Sequence, residues 1–164
     1  MKLLKQNISK GIVVNLFMAS LFIFILSSCG KNYEFQQEHK IKDGKWTFAD
    51  SLVFNFEIKD TTQVYDLLLG IQHSLEYPYQ NIYLQINAKF PSGSIDHQIR
   101  SFDLANKTGT WLGDCNKNGC AYIMPIQKST FFKEIGKYEF VIKQNMRIDS
   151  LNVQKVSLYL DKKQ

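Results

Sequence analysis

From residue 52 onward the chain alternates between apolar and polar positions. Leu52, Phe54, Phe56 and Ile58 share one face of a period-two run, and Asn55, Glu57 and Lys59 share the other. Tyr65, Leu67, Leu69 and Ile71 repeat the pattern. So do Ile82, Leu84, Ile86, Ala88 and Phe90, set against Tyr83, Gln85, Asn87 and Lys89. Successive Cβ atoms of an extended chain point to opposite faces, so this period predicts half-buried strands. Turn chemistry separates them: Asp60-Thr61-Thr62, Tyr77-Pro78-Tyr79 and Pro91-Ser92-Gly93.

The second half reads similarly. A strand is predicted over 95–104, a turn at Lys107-Thr108-Gly109, a strand over 120–126, and another through Tyr138, Phe140 and Ile142 after Gly136. In the last segment Val156, Leu158 and Leu160 are in step while Val153 is out by one, which predicts a bulge. Only 127–134 leaves room for a short helix. Seven or eight short strands without a long helical period predict an all-β fold, a single antiparallel β-sandwich or flattened barrel over 44–164. Residues 30–43 are polar and mixed, with Tyr33 and Phe35 their only aromatic side chains, and read as a tether.

The start of the chain follows other rules. Lys2, Lys5 and Lys10 precede an uncharged apolar run from Ile12 to Leu26, the outline of a signal peptide. As a helix that run would rise only about 22 Å, short of the ~30 Å hydrocarbon core, so a permanent span is the weaker reading. It closes with Leu26-Ser27-Ser28-Cys29, which resembles the lipobox of bacterial lipoproteins. There the thiol takes a diacylglycerol, and small residues admit the peptidase to the bond before the cysteine. The expectation is a signal peptide over 1–28 and a lipidated tether over 29–43, held to a membrane through Cys29. Several acyl chains, at about 0.8 kcal/mol per buried CH₂, anchor far better than one.

Cleavage changes the charge. The whole chain carries +5, but losing Lys2, Lys5 and Lys10 leaves seventeen basic residues against fifteen acids, or +2. No basic run survives, so the high isoelectric point reflects targeting, and nucleic acid is not an expected partner. Cys115 and Cys120 flank Asn116-Lys117-Asn118-Gly119, a polar stretch with a turn-favouring Asn-Gly pair. Residues opposite each other across such a hairpin suit a disulfide. As metal ligands the two thiols would supply half a site, with no histidine nearby in sequence.

Chemistry is otherwise sparse. His39, His73 and His97 stand far apart, and no phosphate loop, nucleophile elbow or HExxH motif is present. His73 continues the phase of the second strand, which points to a core-edge residue rather than a base. An enzyme would require titratable groups converging in a pocket. Neither catalytic residues, nor a cofactor, nor a metal, nor a small-molecule substrate is expected. The mature part has many aromatics, most of them on the alternating apolar face. Tyr77, Tyr79 and Trp111 sit in turn-like contexts instead. Exposed on one flat face, they would suit the alternative of a glycan-binding envelope lipoprotein.

Three stretches carry a resemblance. They are Tyr77-Pro78-Tyr79-Gln80-Asn81-Ile82-Tyr83-Leu84; Asp103-Leu104-Ala105 through Gly109 to Trp111-Leu112-Gly113; and Gly136-Lys137-Tyr138-Glu139-Phe140 running into Gln144-Asn145-Met146-Arg147. In order and spacing they resemble the gliding-motility lipoprotein GldH family of the Bacteroidetes, over nearly all of the mature domain. Asn145 departs from a small residue expected in the family's segment, and the Cys115/Cys120 pair looks particular to this chain. The resemblance implies a non-enzymatic envelope component of the gliding machinery, a system intertwined with type nine secretion. It further implies an assembly or scaffolding role beside other gliding and secretion proteins. Tyr77, Tyr79, Trp111 and Arg147 are the candidate partner contacts. Gly30-Lys31-Asn32-Tyr33 lacks the acidic cluster that tends to mark surface export in these bacteria. The expected location is therefore the outer membrane, facing the periplasm.

Overall fold

The structure is a computed structural model that describes residues 31–163. The signal peptide and Cys29 lie outside the described residues. Nine strands follow in order: β1 (Phe35–Lys40), β2 (Leu52–Ile58), β3 (Val64–His73), β4 (Asn81–Lys89), β5 (Ile95–Asp103), β6 (Asp114–Asn116), β7 (Gly119–Phe131), β8 (Gly136–Gln144) and β9 (Val153–Lys162). One 3-10 turn, Lys42–Gly44, follows β1. The strands form two antiparallel sheets, ordered β1-β9-β3-β7-β6 and β2-β8-β4-β5. Two separate sheets make this a sandwich and not a flattened barrel.

The alternating residues fill the space between the sheets. Phe54, Ile58, Leu69, Ile71, Ile82, Leu84, Tyr138, Ile142 and Leu158 are buried to the last few per cent or less, each contributing about 1.5–3 kcal/mol through removal from water. Phe56 stacks on Tyr138 at 5.6 Å and meets Phe132 edge-on at 5.6 Å. Trp46 lies outside every strand yet is fully buried. Paired amide-to-carbonyl bonds with Leu151 at 2.9 and 3.0 Å close that end of the core over it.

Three expectations need correction or refinement. The stretch read as tether through residue 43 joins the sheet from Phe35, pairing with β9 from Phe35↔Leu160 to Lys40↔Lys155. Its polar side chains do structural work that period-two hydrophobicity does not report. Gln37 donates to Val53 O at 3.1 Å and accepts from Asn55 N at 3.1 Å, and the His39 ring bonds Val53 O at 2.8 Å. These groups replace a neighbouring strand at the edge of β2. The helix allowed at 127–134 is absent, because β7 continues to Phe131, opposite Val64. A register shift at Ile126 and a left-handed Ser129, whose amide donates to Asp66 Oδ1 at 2.8 Å, disturb the alternation there. The bulge in the last strand lies at Gln154, skipped between Gln72↔Lys155 and His73↔Val153.

The register defines two ends. The chain enters β1 at Phe35, beside Leu160 of β9, and the turns 59–63, 90–94 and 132–135 share that proximal end. Lys40, His73, Cys120, Asn81, Asp103 and Gln144 all reach the opposite, distal end.

Candidate interaction site

The distal end gathers the unusual residues. β3 ends on His73, and the chain turns tightly there: Tyr77 N donates to Ser74 O at 3.1 Å and Glu76 N to Ser74 Oγ at 3.2 Å. This turn carries Tyr77 over His73 at a ring separation of 5.3 Å, while Trp111 approaches His73 from the 104–113 loop at 4.5 Å. Tyr79 meets Tyr77 edge-on at 6.0 Å. The four rings form one cluster. His73 is completely buried. Its Nδ1 donates to Ser74 O at 2.8 Å, which leaves Nε2 as an acceptor without a partner among the described residues. Burial holds the imidazole pKa below its ordinary value, the neutral form being cheaper inside the cluster. Burial likewise pushes the Tyr77 hydroxyl well up, while that hydroxyl donates to Asn81 O at 3.0 Å.

The disulfide hairpin abuts this cluster. Cys115 is bonded to Cys120, with Cα atoms 4.0 Å apart, across a two-residue loop of Lys117 and Asn118. Asn116 Oδ1 accepts from the Asn118 amide at 2.8 Å and holds the turn. Cys120 stands opposite His73 in the β3–β7 ladder. Here the backbone passes so close that Gly119, at φ +130°, could carry no Cβ without meeting the His73 carbonyl oxygen at 2.2 Å.

A groove of about 470 Å³ opens beside the rings, lined by Tyr79, Asn81, Tyr83, Asn145, Met146 and Arg147. Its floor is tied down by Gln144, whose buried side chain donates to Ile148 O at 3.2 Å and Asp149 O at 2.9 Å and accepts from Met146 N at 2.9 Å. Asn145 N donates to Tyr83 O at 2.8 Å, joining the segment to β4. The 104–113 loop docks on the same corner: Leu104 N and Ala105 N both donate to Gln80 O, at 2.7 and 2.9 Å. Arg147 is exposed on the rim. Neither the Lys155–Glu38 nor the Lys163–Asp66 ion pair involves it.

The candidate contacts therefore meet at one end, but in two different conditions. Tyr77 is only 3 % exposed, and Tyr79 and Trp111 are half-buried against the core. The expected exposure of Tyr77 is thus corrected, because its hydroxyl finds the Asn81 carbonyl and its ring finds His73. Tyr77 stands at 77° to Tyr79 and 65° to Trp111, so the three rings make no flat platform for a sugar. His39 and His97 lie elsewhere, the first bonded to Val53 O and the second to Asn87 Oδ1 at 2.6 Å. Among the described residues no cluster of metal-ligating side chains occurs. In the sequence Gln144 stands out only through the resemblance, since a polar residue ending a strand carries no hydrophobic signal of its own.

The chain is similar to known proteins. A family model described as GldH lipoprotein matches residues 33–157. A protein of Christiangramia forsetii named gliding motility lipoprotein GldH homolog is 35 % identical over 139 residues, covering 78 % of this chain and 81 % of its own length. Gliding motility lipoprotein GldH of Flavobacterium johnsoniae is 29 % identical over 136 residues, covering 80 % and 79 %. Among solved structures, dimeric latent PorU of Porphyromonas gingivalis overlaps 83 % of this chain and 13 % of its own at a TM-score of 0.36 and 7 % identity. An overlap that remote carries no functional meaning.

Proposed function

The chain belongs to the GldH family of gliding-motility lipoproteins, and from that premise we propose that it is a lipid-anchored, non-enzymatic scaffolding subunit of the gliding machinery, docking a protein partner at its distal end. The observation that carries this reading is convergence. The stretches 77–84, 103–113 and 144–147 are far apart in sequence, yet backbone bonds at Gln80 and Tyr83 fasten them together, and the Gln144 side chain holds the shape of its own segment. A surface built from three segments is held rigid before a partner arrives, which lowers the entropic cost of docking.

The anchor fits this orientation. Cys29 precedes Phe35 by six residues, a reach of about 20 Å at most, and Phe35 enters at the proximal end. In this reading lipidation at Cys29 keeps the proximal end within that reach of the bilayer, and the protein faces the periplasm from the outer membrane. The partners in this reading are other gliding and type nine secretion proteins. A non-enzymatic role is supported by the histidines, which occupy three separate places and are each engaged by a neighbouring carbonyl or amide oxygen.

Colony spreading of a strain whose only copy is altered provides the test. Cys29→Ala, which removes the lipid acceptor, abolishes spreading. So does the pair Tyr79→Ala with Arg147→Glu, although the protein accumulates at its normal level. Normal spreading by either strain contradicts the proposal.

A further inference from the structure

Open sheet edges are hazards, and three of the four in this sandwich are blunted. On one side β1 and β2 are clasped by the Gln37 and His39 side chains. On the other side β6 is three residues long, and β7 beyond it carries Pro125, the register shift at Ile126 and the left-handed Ser129. β5 is of full length and has no clasp, proline or bulge; of the blunting devices it carries only charged side chains, Asp96, Arg100 and Asp103. It contains no Pro, Gly or Lys, pairs with β4 at all nine positions from Ile95↔Lys89 to Asp103↔Asn81, and has no partner on its outer edge among the described residues. Its outward face shows Ile95 and Ile99, 66 % and 55 % exposed.

The inward face of β5 carries Asp96, Gln98 and Arg100, which line the cleft between the sheets. Their charges run negative, neutral, positive, so the pattern is complementary to itself when reversed. We infer that two copies of this chain join antiparallel through their β5 edges, about a twofold axis at Gln98, making one eight-stranded sheet. In that register Asp96 of each copy faces Arg100 of the other, and Ile99 faces His97. A parallel alignment would set like charges side by side, and unlike pairs directly opposite are favoured. The isologous arrangement closes as a dimer and leaves no free end to propagate. Arg100 already donates to Ile126 O. Four further N–H groups remain on its guanidinium for the carboxylate across the axis.

The test uses the full-length protein in detergent micelles, followed by sedimentation across a concentration series. The parent chain shows a monomer–dimer equilibrium. Asp96→Arg weakens it at least about tenfold, Arg100→Asp does the same, and the double swap, which restores unlike pairs, restores the dimer. Circular dichroism confirms that each variant is folded. Gln98→Cys forms a disulfide-linked dimer on oxidation, while Ile95→Cys, about 20 Å from its own copy in this register, does not. A monomer at every concentration to about 0.1 mM overturns the inference. So does a double swap that stays monomeric, or a photocrosslinker at Gln98 that captures a different protein in living cells.

Discussion

Gly119 ties the disulfide hairpin to the aromatic cluster. At φ +130° it brings the backbone under the His73 carbonyl, where an added Cβ would approach to 2.2 Å. Gly119→Ala is therefore expected to cost at least about 2 kcal/mol, combining a disfavoured φ with a clash against main chain. Gly93 makes the contrast, since at φ +86° its Cβ would meet nothing within 4 Å. Gly93→Ala should cost only about 1 kcal/mol, for the backbone conformation alone. Urea unfolding of both variants checks the difference, and equal losses would remove the steric argument. His73 makes a second residue-scale prediction. Burial lowers its folded pKa, so below the unfolded value of about 6.5 the unfolded chain binds the extra proton first. Stability from the neutral ring is full above that pH and is lost as pH falls toward the folded pKa. The loss of stability between pH 7 and pH 5 should shrink in His73→Phe, and parallel profiles for the two proteins would contradict it. Asp66 acts lower on the scale. The bond from Lys163 and the Ser129 amide depress its pKa, so its contribution is present above about pH 4 and is lost as pH falls through the depressed value.

Elements differ in how openly their sequences declare them. β2, β4 and β8 are legible because Leu52 to Ile58, Ile82 to Ala88 and Tyr138 to Ile142 each bury one face and leave the other more open, and β3 because Tyr65 to Ile71 keeps its apolar phase although Asp66 and Gly70 on its other face are buried as well. The β9 bulge is legible for the same reason, as Val153 must shift phase to stay buried. β1 is not, because Gln37 and His39 serve β2 through hydrogen bonds, and hydropathy is blind to them. β7 fails differently: its pairing with β3 overrides a polar run at 127–130 that no local rule marks as extended. The disulfide hairpin was legible from Asn-Gly spacing, although the loop has two residues where the flanking cysteines enclose four. So short a closed loop constrains the unfolded chain by only about 2 kcal/mol. Cys115→Ala with Cys120→Ala should lower unfolding stability by about that amount with the far-ultraviolet dichroism unchanged. Loss of the fold would show the hairpin to be more than a local clip.

At the scale of the whole molecule, the sandwich has two unlike ends. β1 begins at one end and the stretches 77–84, 103–113 and 144–147 meet at the other, with a continuous core from Trp46 to Phe56 between them. Turn chemistry and segment order pointed to Tyr77, Tyr79, Trp111 and Arg147, but which of them faces solvent was settled by packing. Tyr77 became a buried support and Arg147 the exposed rim. If the distal surface docks a partner as proposed, contacts should be concentrated at that end. Photocrosslinking in living cells tests this most directly, with the reactive amino acid placed at Arg147 in one strain and at Ser92, in a proximal turn, in another. A discrete adduct with another envelope protein is expected from position 147 and none from position 92. An adduct from position 92 with silence at 147 would contradict it.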